Sequence, residues 1–148
     1  MVTLFIFITV LLFLYLGVKK LGEYDNPKLF KFFIKQYSKQ DKINYPKPGS
    51  ILFTGSSIIK FWNTMESDLS PLNVLNRGVA GTKINELAYW TQELVVQYKP
   101  KAVLLYAGSN DIQGKNPKTA EHVLKGFISF SNKISRSLPD VPLYYISI

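Results

Sequence analysis

Three short polar patches each follow an apolar run, and their residue types match acyl-transfer chemistry. Gly55-Ser56-Ser57 follows Ile51-Leu52-Phe53, Asn76-Arg77-Gly78-Val79-Ala80-Gly81 follows Val74-Leu75, and Gly108-Ser109-Asn110-Asp111 follows Val103-Leu104-Leu105-Tyr106. A serine at a strand-to-helix turn lies beside unpaired backbone N–H groups, which favour an anion. Glycine N–H groups and an asparagine amide are usual donors to the oxyanion of an acyl-transfer intermediate. Each patch alone also has an ordinary explanation. Ser56 or Ser57 could cap a helix, Gly78 and Gly81 could serve a turn, and Gly108-Ser109-Asn110 is common turn chemistry. Asp111 is expected to bond backbone rather than act as a base.

The elements that must position these patches alternate along the chain. Apolar stretches 50–54, 73–76, 101–107 and 141–148 read as strands, because they are short, apolar and not alternating. Stretches 57–65, 82–98 and 117–137 carry apolar residues at helical spacing, the last opened by Asn116-Pro117. Strands separated by helices predict a parallel sheet covered on both faces, a three-layer α/β/α domain. Chemistry in such a sheet sits at the carboxyl ends of the strands, where all three patches fall. Trp62 and Trp90 fall in predicted helices and read as core.

Taken in order, the patches resemble the first three sequence blocks of the GDSL-type serine esterases, the SGNH hydrolases. Phe53-Thr54-Gly55-Ser56-Ser57-Ile58 is similar to the first block, with Ser57 at the nucleophile position. Asn76 to Gly81 is similar to the second and Tyr106 to Asp111 to the third, with Gly81 and Asn110 at the oxyanion positions. Gly55, Ser56, Asn76, Gly78, Gly108 and Asp111 stand as supporting residues. The resemblance covers Ser50 to the end of the chain. It implies a flavodoxin-like strand order for the sheet, and hydrolysis of a small ester through an acyl-serine, without a cofactor or metal. Two departures stand out. Ser56 replaces the family's aspartate before the nucleophile, and the Asp-x-x-His block that supplies base and orienting acid is absent. The 148 residues contain one histidine. His122 falls in a predicted helix, away from the strand ends, and reads as an exposed helical residue. The expectation is an incomplete member with four of the family's five strands and no esterase activity as it stands. The alternative is a non-catalytic flavodoxin-like module that cradles phosphate at Gly55-Ser56-Ser57, although no Gly-x-Gly-x-x-Gly or Walker pattern is present. An inert membrane-tethered fragment is a further alternative.

Composition sets the remaining bounds. An apolar content of 47% with 14% aromatics excludes disorder, and the absence of cysteine excludes disulfides and thiolate metal sites. The formal charge of +8 is uneven: residues 19–48 hold eight lysines against Glu23, Asp25 and Asp41. Cations crowded beside an apolar terminus favour a membrane surface over nucleic acid. Residues 1–18 are almost wholly apolar, about the length that spans a bilayer core. The expected organisation is an anchor or signal sequence over 1–20, an amphipathic helix and Pro-rich linker over 21–48, and the α/β domain over 49–148. Lys19 and Lys20 argue for a cytoplasmic domain, yet long domains translocate largely regardless of charge. The expected location is membrane-anchored and extracytoplasmic. Residues 26–42 read as the amphipathic helix, with Asn26 as N-cap and Pro27 at the first position. Phe30, Phe33, Ile34 and Tyr37 form its apolar face, and Lys28, Lys31, Lys35 and Lys39 its cationic face. Packing on the domain and lying on an anionic membrane are both open for it.

Overall fold

The computed structural model describes Thr9, Leu12, residues 25–113 and residues 116–148. The expected N-terminal anchor lies outside the described residues apart from Thr9 and Leu12. Among the described residues no helix is long and apolar enough to cross a membrane.

Asn26 caps a short 3-10 turn, Pro27–Phe30, by accepting the Lys28 N–H at 3.1 Å. Helix α1 (Lys31–Ile43) continues it. Strand β1 (Ile51–Gly55) leads into two single-turn helices, α2 (Ser57–Lys60) and α3 (Met65–Asp68). Strand β2 (Val74–Gly78) precedes α4 (Ile84–Tyr89) and α5 (Thr91–Leu94), which ends in a 3-10 turn over Val96–Tyr98. Strand β3 (Ala102–Tyr106), helix α6 (Ser109–Ile112), helix α7 (Ala120–Ser137) and strand β4 (Leu143–Tyr145) complete the order.

The four strands form one parallel sheet in the order β2-β1-β3-β4. That is the flavodoxin-like arrangement, with the order reversing at β1 and β3. Adjacent residues of one strand point to opposite faces, and the core divides accordingly. Leu52, Val103 and Leu105 join Ile84, Leu87, Leu94, Phe130 and Ile134 on one face. Phe53 and Val74 join Ile59 and Met65 of α2 and α3 on the other.

Helix α1 packs on the domain through Ile34 and Tyr37, both buried. Phe30 adds partial cover, whereas Phe33 is largely exposed. The lysines face solvent. Three expected helices differ in detail. The 57–65 stretch is helical only over Ser57–Lys60, and Trp62 lies outside helical backbone before α3 begins at Met65. The 82–98 stretch breaks at Trp90 and at Val95, both outside helical backbone. Thr91 turns its hydroxyl onto the Leu87 and Ala88 carbonyls, and the Trp90 indole donates to the Pro27 carbonyl at 2.7 Å. Tertiary docking of Trp90 thus decides the break. The last long helix begins at Ala120, with Thr119 rather than Asn116 as its cap.

Candidate active site

The three patches leave the sheet at one level. Gly55 pairs in register with Gly78 on one side and with Tyr106 on the other. Gly55 has φ +150°, and a Cβ there would lie 2.1 Å from the Tyr106 carbonyl oxygen. The Ser56 N–H donates to that same carbonyl at 3.2 Å, and the Val79 N–H donates to the Gly55 carbonyl at 2.8 Å. These bonds tie the ends of β1, β2 and β3 together before the chain turns away.

Ser57 opens α2 and is half-buried. Its hydroxyl has no partner among the described residues, so it caps nothing. Ser56 occupies the cap position without a side-chain bond, and its hydroxyl is buried and unpartnered. Helix α2 is held down by the second patch. A Cβ on Gly78 would lie 2.4 Å from the Lys60 nitrogen, so glycine lets α2 approach β2. The Asn76 amide donates to the Ile59 carbonyl at 2.6 Å and accepts the Gly78 N–H at 2.9 Å. Asn76 and Gly78 therefore anchor the helix that carries Ser57.

Gly81 sits beyond β2 in an exposed loop with φ +80°. Asn110, in the first turn of α6, reaches this loop: its Nδ2 donates to the Thr82 carbonyl at 2.9 Å. An asparagine amide has two N–H groups, and this bond uses one of them. Gly108 caps α6, packed against Tyr145 and Ile148. Asp111 is buried and does bond backbone, but across the site: it accepts the Ile84 N–H at 3.1 Å, at the start of α4. Burial pushes its carboxyl above the usual range, with the Ile84 bond and Lys83 opposing.

A cluster that the sequence reading did not single out surrounds the start of α4. Lys83 donates to Asp25 at 2.9 Å, and Lys118 pairs with the other Asp25 oxygen at 2.6 Å. Partial burial works against ionisation of Asp25, but Lys118 and Lys83 together hold its carboxyl below the ordinary range. Glu86 is buried and accepts the Lys83 N–H at 2.7 Å; burial pushes it up to about 7. A glutamate at the third position of a helix was the available signal, but its partners come from distant segments.

His122 belongs to this cluster. Its Nε2 lies 2.8 Å from the Asn85 amide and 3.9 Å from Asp25. It is therefore half-buried near the start of α4 rather than free on a helix surface. Its partners lie on α4 and ahead of α1, and none is Ser57. Trp62 and Trp90 are partly buried against the two cores. Among the described residues no cluster of His, Cys, Asp and Glu could hold a metal.

No protein-family model matches the chain, and no curated protein matches it. Solved structures share its fold. One is described as a platelet activating factor from Streptococcus pneumonia, 20% identical with a TM-score of 0.71 over 90% of this chain and 61% of that one. An acylhydrolase from Bacteroides fragilis is 20% identical, with a TM-score of 0.64 over 75% of this chain and 55% of that one. A GDSL-like lipase from Bacteroides thetaiotaomicron is 17% identical, with a TM-score of 0.63 over 76% and 56% of the two chains. The chain thus spans between half and two thirds of the length of each of these structures.

Proposed function

We propose that this chain carries the acyl-transfer half of a GDSL-type ester hydrolase site. Ser57 is the nucleophile, and its own N–H, the Gly81 N–H and the second Asn110 amide N–H receive the oxyanion. The reading rests on one observation above others: the Asn110 amide is bonded over the Gly81 loop, at the strand ends from which Ser57 also departs. The fold shared with an acylhydrolase and a GDSL-like lipase supports it. The substrate class is a small ester, attacked by the serine to form an acyl-enzyme that water then releases. Residues 1–18 would hold the domain at a membrane, on its extracytoplasmic side.

Activation is the step these residues leave open. A serine hydroxyl is a weak nucleophile without a base within hydrogen-bond reach. His122 is engaged elsewhere, with Asn85. These residues alone are therefore expected to turn over esters negligibly until a base is supplied.

The test is phosphonylation of Ser57 by a fluorophosphonate, followed by peptide mass spectrometry with and without added imidazole. The expected result is a slow adduct at Ser57 that imidazole accelerates. Ser57→Ala abolishes it and Asn110→Ala slows it about a hundredfold or more, the usual cost of one oxyanion donor. An adduct rate unchanged by imidazole and by Asn110→Ala overturns the reading. Thermal stabilisation by nucleotides without any Ser57 adduct would favour the phosphate-binding alternative instead.

A further inference from the structure

Helix α1 does not look like a helix whose only task is to cover a core. Such a helix buries one stripe and turns charged and polar residues outward. Here Ile34 and Tyr37 are buried, yet Phe32 is 64% exposed and Phe33 45% exposed on the same helix. The two rings pack edge-to-face at 5.7 Å and so present one joint apolar surface. Phe61, at the end of α2, is 65% exposed. Phe33 and Phe61 flank a shallow cleft of about 100 Å³ together with Lys60 and the Gly78–Ala80 stretch. The cleft lies between the exposed rings of α1 and that of α2 and borders the strand end that leads to Gly81.

Charge states what should cover it. Lys28, Lys31, Lys35, Lys39 and Lys42 are all exposed along the helix and its leading turn. The acid of this helix, Asp41, faces inward and is already bonded to Arg77 at 2.6 Å and to Tyr98 at 2.5 Å. The outer surface therefore carries exposed aromatic rings, neutral polar residues such as Gln36 and Gln40, and charges that are all cationic. Lysines beside protruding phenylalanines are the pattern of a helix that lies in the headgroup layer of an anionic membrane.

We propose that the face formed by Phe32, Phe33 and the lysines of α1, with Phe61 of α2, docks on an anionic lipid surface. The aromatic rings enter the interface and the lysines pair with lipid headgroups. The inference stands on the surface alone and holds whether or not Ser57 is a nucleophile.

The chain contains no cysteine, so single labels can be placed without background. The full chain carrying Phe33→Cys, Phe61→Cys or Asp140→Cys is labelled with an environment-sensitive fluorophore. It is then reconstituted on phosphatidylcholine vesicles with or without phosphatidylglycerol. Asp140 precedes β4 at the opposite end of the sheet and serves as the aqueous reference. The apolar residues 1–18 could hold any variant on a vesicle, so the readout is label depth, not binding.

Labels at 33 and 61 are expected to shift to the blue and to resist an aqueous quencher several-fold on the anionic vesicles. Molar salt or the triple substitution Lys31→Gln, Lys35→Gln and Lys39→Gln should reverse this, because screening at that strength acts within about 3 Å. The label at 140 should stay quenchable throughout. Quenching at 33 and 61 equal to that at 140 overturns the proposal. So does equal protection on phosphatidylcholine alone. Protection that appears without vesicles and rises with protein concentration also overturns it, and assigns the face to a second copy of the chain.

Discussion

At the scale of single residues, backbone proximity decides more than side-chain chemistry. Gly55 lies between β2 and β3 with no room for a methyl group against the Tyr106 carbonyl. Gly55→Ala combines a steric clash with strained backbone, and is expected to cost about 3 kcal/mol or more. Gly49 also has positive φ, but nothing lies within 4 Å of its Cβ position. Gly49→Ala should cost only about 1 kcal/mol. Urea denaturation of both variants measures the difference, and equal costs would refute the account. Glu86 makes a second residue-scale prediction. Its carboxyl holds its proton up to about pH 7 in the folded chain, against 4.5 ordinarily. The native state then binds more protons than the unfolded state between those values. Its stabilising effect is complete below about pH 4.5 and is lost as pH rises through about 7. Asp111 biases stability in the same direction. Glu86→Gln should remove a pH-dependent loss on the order of 2–3 kcal/mol over this window, read as a flatter profile of melting temperature against pH.

At the scale of elements, the join between α1 and β2 is the one most exposed to a single substitution. The Arg77 guanidinium lies between the Tyr37 and Tyr98 rings, 4.7 and 4.5 Å from their centroids, and pairs with Asp41. The Tyr37 hydroxyl donates to the Gly78 carbonyl at 2.5 Å. Tyr98 is pushed up to about 12 by burial and by its bond to Asp41. Arg77→Ala leaves Asp41 largely buried without its cation. Breaking such a pair typically costs about 3–5 kcal/mol. The loss should be local first: hydrogen exchange of α1 amides should accelerate before that of β1 and β3. Uniform acceleration across the sheet would show that α1 is not a separable unit. The spacing of Ile34 and Tyr37 marked the buried face of α1 correctly, whereas Asn26 and Pro27 open the 3-10 turn that leads into it. The sequence misjudged Phe33, because helical spacing fixes a direction around the axis but not how far the neighbouring surface extends.

At the scale of the whole molecule, β4 is the edge strand beside β3 and has no second neighbour among the described residues. Tyr144 and Tyr145 are exposed on it, and Ile146 just beyond. An apolar, unpaired edge invites pairing with another chain. Self-association is therefore expected at micromolar concentration in sedimentation experiments, and Tyr144→Lys should reduce it. A monodisperse wild-type sample at high concentration would argue that the edge is protected.

The parallel sheet and the placing of Ser57, Gly81 and Asn110 at its carboxyl ends were legible in the sequence, whereas the order of the strands followed only from the family resemblance. Short apolar runs and the turn residues after them act locally, so a linear reading captures them. Tertiary structure alone decided that Asn110 reaches the Thr82 carbonyl and that Asp111 serves α4 instead of its own turn. It also decided that His122 is drawn into the cluster around Asp25 and that Phe32 and Phe33 remain uncovered. Each of these depends on which distant segments meet, and spacing along a chain carries no record of that.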